Sequence, residues 1–192
     1  MNLNNYLTYP LKRLPTHLIT GFPGAGKTAL LRALLAQRSG DEHWALLLNA
    51  TSRVTSGDGV TVHHLGTECA CCTGRVGFRT ALVRLLRSAR PQRLLIELPG
   101  TGDPAGVKQV LQEDAIARAV TLVSNLCVVQ PRHLANADIA THDIYRSQLN
   151  HATQFVLAEA DKPAHETLAG FNKFNKPVTL LHDATLALLA AS

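Results

Sequence analysis

Lys27 and Thr28 stand directly behind three closely spaced glycines, Gly21, Gly24 and Gly26, in the segment LITGFPGAGKTALL. The apolar run before them reads as a strand and the pattern after them as a helix. GFPGAGKT therefore satisfies G-x-x-x-x-G-K-[ST] in the strand-to-helix setting that the pattern requires. Glycines here let successive backbone N–H groups turn inward and form a nest for phosphate oxygens at the positive end of the helix dipole. Lys27 then reaches the β- and γ-phosphates, and the Thr28 hydroxyl helps to hold Mg²⁺. The candidate cradle is Gly21, Gly24, Ala25, Gly26, Lys27, Thr28 and Ala29. The plainer reading, a tight glycine-rich connection, leaves the adjacent lysine and threonine unexplained.

A second chemical group lies in RLLIELPGTGDP, an apolar strand whose end carries Glu97, with Gly100 soon after. In open α/β sheets ligands bind at the carboxyl ends of strands, where a carboxylate can order water around a metal ion. Lys27, Thr28 and Glu97 are the candidate catalytic residues; for Glu97 the alternative is an ordinary rim position. A third group is GTECACCTGR, which crowds Cys69, Cys71 and Cys72 onto one short loop. Three soft sulfurs at that spacing can converge on a thiophilic ion such as Zn²⁺, each deprotonated by the metal it binds. His63 or His64, on the preceding strand, is a candidate further ligand. Against this stands the reading of the cysteines as small buried residues at a turn.

Short apolar runs alternating with helical patterns must position these groups, which is the signature of βα units and a mostly parallel sheet. Strands are expected at HLIT, WALLLN, VTVHH, RLLIEL, VTLVSNLCVV, QFVLA and PVTLL. Helices are expected from Gly26 to about Arg38, Gly74 to Ala89, Pro104 to about Gln112 and around HDIYRSQLNHA, with shorter ones near AHETLAGFN and DATLALLAA. Phe78, Ala81, Leu82 and Leu85 make a core stripe at i, i+3, i+4 and i+7 and leave most arginines of that segment on the solvated face.

The chain of 192 residues, 46% apolar and 17% charged, is long enough to bury a core and unlike a disordered sequence. Its net charge of +5 is concentrated in one arginine-rich segment, but aromatics are only 5%, and no nucleic-acid module accompanies it, so nucleic acid is not an expected partner. MNLNNYLTYPLKRLPTHLIT is polar and broken by Pro10 and Pro15; residues 1–16 read as a flexible arm ahead of a single domain over 17–192. No apolar run approaches the roughly 20 residues of a membrane span. Clustered cysteines suit a reducing compartment, so the expected location is the cytoplasm, with no membrane partner.

Together these residues resemble the CobW-like family of metal-handling P-loop GTPases. The resemblance is carried by GFPGAGKTALL, by the C-x-C-C of Cys69 to Cys72 with Thr73 behind it, and by IELPGTGDP, whose Glu97, Gly100, Asp103 and Pro104 match the family's E-x-x-G and following D-P. It runs from about Leu18 to about His182. It implies a three-layer α/β/α P-loop NTPase with a mostly parallel central sheet. It implies nucleotide bound by Gly24 to Thr28, Mg²⁺ served by Thr28 and Glu97, and Zn²⁺ or Co²⁺ held or passed by Cys69, Cys71 and Cys72. GTP hydrolysis would then switch the loops around that metal and couple its release to a client protein.

The chain departs from the family in several places. The guanine-specifying N-K-x-D element reads AEAD, Ala158 to Asp161, so Asp161 alone remains to accept hydrogen bonds from a base, leaving GTP or ATP as the nucleotide. NATSRVTSGDG keeps Asn49 without the acidic Glu usually beside it, and Gln130 stands where the family usually has Asp. The family's separate C-terminal domain is expected to be absent. The expected function is a slow Mg²⁺-dependent nucleoside triphosphatase that drives metal delivery, with a homodimer left open. The alternative is a non-hydrolysing nucleotide- or zinc-binding regulator. A small-molecule kinase ranks behind both for want of a lid segment.

Overall fold

In a computed structural model the described residues are 13–65, 75–158, 168–170, 175–183 and 186–189. Seven strands form one sheet: β1 (Leu14–Thr20), β2 (Trp44–Leu48), β3 (Val60–His64), β4 (Arg93–Glu97), β5 (Val120–Val129), β6 (Gln154–Leu157) and β7 (Val178–Leu180). Their order is β3-β2-β4-β1-β5-β6-β7, and every pairing between them is parallel. The connections carry the helices α1 (Lys27–Leu35), α2 (Arg75–Ala89), α3 (Pro104–Leu111), α4 (Asp114–Ala117), α5 (Pro131–Ala135), α6 (Ala137–Thr141) and α7 (Asp143–His151). The architecture is the expected α/β sandwich with a parallel sheet buried on both faces, which is why its central strands read as unbroken apolar runs.

Alternate residues of each strand feed opposite layers. Leu18, Ala45, Leu47, Leu94 and Ile96 pack under α2 and α3, where Phe78, Ala81, Leu82 and Leu85 are buried as their spacing predicts. On the opposite face Ile19, Leu46, Leu48, Leu95, Leu126 and Val128 pack with Leu30, Leu31 and Leu34 of α1. A further cluster joins Cys127, Val129, Phe155 and Leu157 to Tyr145 and Leu149 of α7. Arg79, Arg84 and Arg87 of α2 are exposed, as the solvated-face reading requires.

Two boundaries differ from expectation. β1 begins at Leu14, ahead of the expected HLIT, so Pro15 and Thr16 belong to the sheet rather than to an arm. Proline is tolerated there because it is the second residue of the strand and lies beside an irregularity of the β1–β5 register between Thr16 and His17. The apolar segment near the end forms a short 3₁₀ turn, Leu186–Leu189, rather than an α-helix. Its Leu189 carbonyl accepts a hydrogen bond from Arg93 Nη1 at 3.0 Å, which ties this turn to the start of β4.

Candidate functional site

β1 and β4 are neighbours, so the sheet places the loop after Thr20 beside Glu97. This adjacency comes from strand order alone, and it unites groups about seventy residues apart. Gly21 leaves the strand at φ 140°, and a Cβ there would lie 2.5 Å from the Val128 carbonyl oxygen; only glycine lets β5 approach this closely. Gly26 caps α1 at φ 102°, in the left-handed region, and turns the chain into the helix. No acidic residue occupies the first turn of α1, so nothing on the helix offsets its positive end.

The resulting cleft, about 420 Å³, is lined by Pro23, Gly24, Ala25, Gly26, Lys27, Thr28, Ala29, Asn49, Thr51, Glu97 and Gly100. Every cradle residue expected from the sequence lines it except Gly21, which sets the entry to the loop from behind. Lys27 is buried, and its Nζ donates to the carbonyl oxygens of Gly21 at 2.8 Å and Phe22 at 3.3 Å. An ammonium group carries three donors, so one remains for a ligand. Burial pushes the Lys27 pKa below the ordinary lysine value, while the Glu97 carboxylate and then Cys127 oppose the shift.

Thr28 Oγ1 donates to Glu97 Oε1 at 3.1 Å. Glu97 is 2% exposed, and its Oε2 is buried without a hydrogen-bond partner among the described residues. A buried carboxylate oxygen without a partner is costly unless something fills its lone pairs. A hydroxyl and a carboxylate at the rim of a phosphate-sized cleft suit a hard, oxygen-loving cation with part of its water shell retained, and the residues therefore fit Mg²⁺.

Other elements hold the loop from outside. Phe22 packs edge-on against His133, His142 and Tyr145, with ring centroids 5.6, 5.5 and 5.6 Å away. Gln148 of α7 is fully buried, and its Nε2 donates to the carbonyls of Gly100 and Gly102, each at 3.0 Å. Asp103 caps α3 through Ala105 N and also accepts from Ser147 Oγ at 2.7 Å. Gln130 Nε2 donates to Ala25 O at 3.4 Å, and Arg132 Nη2 donates to Gly24 O at 3.3 Å. Sequence reasoning missed Gln148 and Arg132, and it marked Gln130 only as a departure from a family pattern.

Neither His63 nor His64 lines the cleft. Asp161, Cys69, Cys71 and Cys72 lie outside the described residues. His63 is half-buried and His64 exposed at the end of β3, with His64 Nδ1 3.5 Å from the Asn49 carbonyl oxygen. Among the described residues no three His, Cys, Asp or Glu side chains gather as a metal site. Cys127 is a separate, buried thiol whose burial pushes its pKa up to about 12.

A phosphate loop between the first strand and first helix of a parallel sheet, with a carboxylate at the end of the neighbouring strand, defines a P-loop nucleotide-binding domain. The chain belongs to the CobW/HypB/UreG nucleotide-binding domain family, whose model matches residues 15–180. It is 32% identical over 158 residues to the zinc chaperone YeiR of Escherichia coli, an alignment covering 79% of this chain and 48% of that protein. It is 28% identical to the zinc-regulated GTPase metalloprotein activator 1 of Schizosaccharomyces pombe, over 83% of this chain and 42% of the other. The chain thus spans about half the length of these curated relatives. The fold matches the Zn(II)-bound YjiA GTPase of E. coli with a TM-score of 0.72 at 23% identity, over 94% of this chain and 62% of that one.

Proposed function

We propose that this domain is a Mg²⁺-dependent nucleoside triphosphatase whose cycle is coupled to the binding and delivery of a transition metal, zinc or cobalt, to a client protein. The observation that carries the proposal is the cleft itself: a glycine-built cradle on an uncompensated helix N-terminus, a buried lysine with a donor to spare, and the Thr28–Glu97 pair at its rim. Family membership makes GTP the first nucleotide to test, and Asp161 is the residue left to read its base.

The chain's own groups account for most of the chemistry. The loop amides and Lys27 bind and orient the phosphates and neutralise charge that grows on the transferred group in the transition state. Thr28 and Glu97 would hold a magnesium ion and its water, and that ion would supply further charge neutralisation on the phosphates. The segment from Leu98 to Asp103, which starts at the end of β4 and reaches the cleft at Gly100, is placed to respond to the γ-phosphate. Cys69, Cys71 and Cys72 belong to the same proposal as the metal-carrying group, and a cytoplasmic setting is supported by their clustering. The assembly to test is a homodimer, by light scattering with and without GTP.

The replacement of the family's Asn and Lys by Ala158 and Glu159 favours a second reading, a regulator that binds nucleotide without turning it over. Phosphate release measured with GTP and ATP, with and without Zn²⁺, separates the two. Turnover by the wild type that disappears in Lys27→Ala supports the triphosphatase. Tight nucleotide binding with no release under any condition supports the regulator.

A further inference from the structure

The phosphate loop is gripped from outside by two side chains of the β5–α5 corner. Gln130, the residue that caps α5, donates from Nε2 to the Ala25 carbonyl, and Arg132 donates from Nη2 to the Gly24 carbonyl, at 3.4 and 3.3 Å. Pro131 lies between them at the first turn of α5, where its fixed φ suits the start of a helix. Their acceptors are consecutive residues of the loop, and both line the cleft. A peptide unit is planar and its N–H and C=O point in opposite directions. Drawing the Ala25 carbonyl outward therefore turns the N–H of Gly26 toward the phosphate side, while the Ala25 N–H closes a turn onto the Phe22 carbonyl at 3.1 Å and fixes the loop between the two braced peptides.

Three features distinguish this contact from an incidental one. Gln130 presents an amide N–H to the carbonyl, a donor that an ionised carboxylate of similar shape would lack. Among the described residues Arg132 takes part in no ion pair. Burial first, and then the Arg132 and Lys27 charges, lower the pKa of His133, whose ring packs edge-on against Phe22 of the loop.

We infer that Gln130 and Arg132 are positioning residues that brace the phosphate loop from the β5–α5 corner. The inference rests on the reading of the cleft as a nucleotide site. It also says what kind of selectivity results. The brace acts on backbone carbonyls behind the phosphates and touches no base, so it strengthens binding of guanine and adenine nucleotides alike.

The test is equilibrium binding of fluorescent GDP and ADP analogues to the wild type, Arg132→Ala, Arg132→Lys and Gln130→Glu. Arg132→Ala is expected to weaken both nucleotides by the same factor, roughly tenfold for loss of a charged hydrogen bond at a half-open site. Arg132→Lys recovers most of that loss, and Gln130→Glu, similar in shape but without the donor, weakens both nucleotides too. Melting temperatures without nucleotide stay within about 2 °C of the wild type, since the contacts lie at the rim of the cleft and not in the core. Unchanged affinity in both Arg132→Ala and Gln130→Glu overturns the brace, as does a loss confined to one base. A wild type that binds neither analogue overturns the nucleotide reading itself, a different result.

Discussion

Gly100 and Pro23 meet backbone to backbone: a methyl group on the Gly100 Cα would lie 2.5 Å from the Pro23 nitrogen. The segment after β4 thus touches the phosphate loop directly, and any ligand that moves one moves the other. Gly100→Ala must push the two apart. Because catalysis by positioning is lost steeply with small displacements, turnover of saturating GTP should fall on the order of tenfold to a hundredfold. Phosphate release at saturating nucleotide measures it, and an unchanged rate would mean that the contact has no part in the reaction.

Gln148 links the same segment to α7. Its amide satisfies the Gly100 and Gly102 carbonyls from a fully buried position, so Gln148→Ala strands two acceptors and leaves a cavity. A loss of about 1–3 kcal/mol in unfolding free energy is expected, read from urea denaturation without nucleotide.

Thr28 and Glu97 are the residues proposed to hold Mg²⁺. Thr28→Ala removes the proposed ligand hydroxyl and the donor to Glu97 Oε1, whereas Glu97→Gln keeps an acceptor and removes the charge. Both variants should raise the Mg²⁺ concentration needed for half-maximal turnover by roughly tenfold or more. Titration of phosphate release with MgCl₂ checks this, and Glu97→Gln should retain the wild-type melting temperature more closely than Thr28→Ala.

His17 contributes a pH dependence far from the cleft. It is fully buried, with Nδ1 2.9 Å from Ser124 Oγ and Nε2 3.0 Å from Arg93 Nη1. The guanidinium can only donate, so Nε2 accepts and Nδ1 carries the proton that goes to Ser124. Burial, and then the Arg93 charge, lower its pKa from 6.5 to about 3. The unfolded chain therefore binds the extra proton first as pH falls, and stability present above the unfolded pKa is lost as pH drops from there toward the folded one. That loss amounts to about 2 kcal/mol by about pH 5. Denaturation midpoints at neutral and acid pH should show it, and His17→Gln should flatten the dependence by that amount.

Much of this was legible in the sequence because local pattern and local chemistry agree. The cradle is contiguous, from Gly21 to Ala29, and its residue types state their purpose. Glu97 could be placed because an apolar strand ends on it. The braces were not legible, since Gln130 and Arg132 lie more than a hundred residues from the carbonyls they hold, and only the packing of β5 beside β1 brings them there. The helices α4, α5 and α6 have four or five residues each, too few for an apolar period to show. Pro15 pointed to an irregular arm, yet pairing with Thr121 of β5 draws it into the sheet.

The central claim is that the state of the nucleotide cleft is felt by the cysteine loop, and zinc affinity measured in each nucleotide state tests it most directly. Competition against a chromophoric chelator, with saturating GDP or a non-hydrolysable GTP analogue, gives that affinity for the wild type and for Cys71→Ser. Zinc affinities that differ by about fivefold or more between the two nucleotide states, with the difference lost in Cys71→Ser, are the predicted result. Equal zinc affinity in both states, with nucleotide demonstrably bound, would contradict the account.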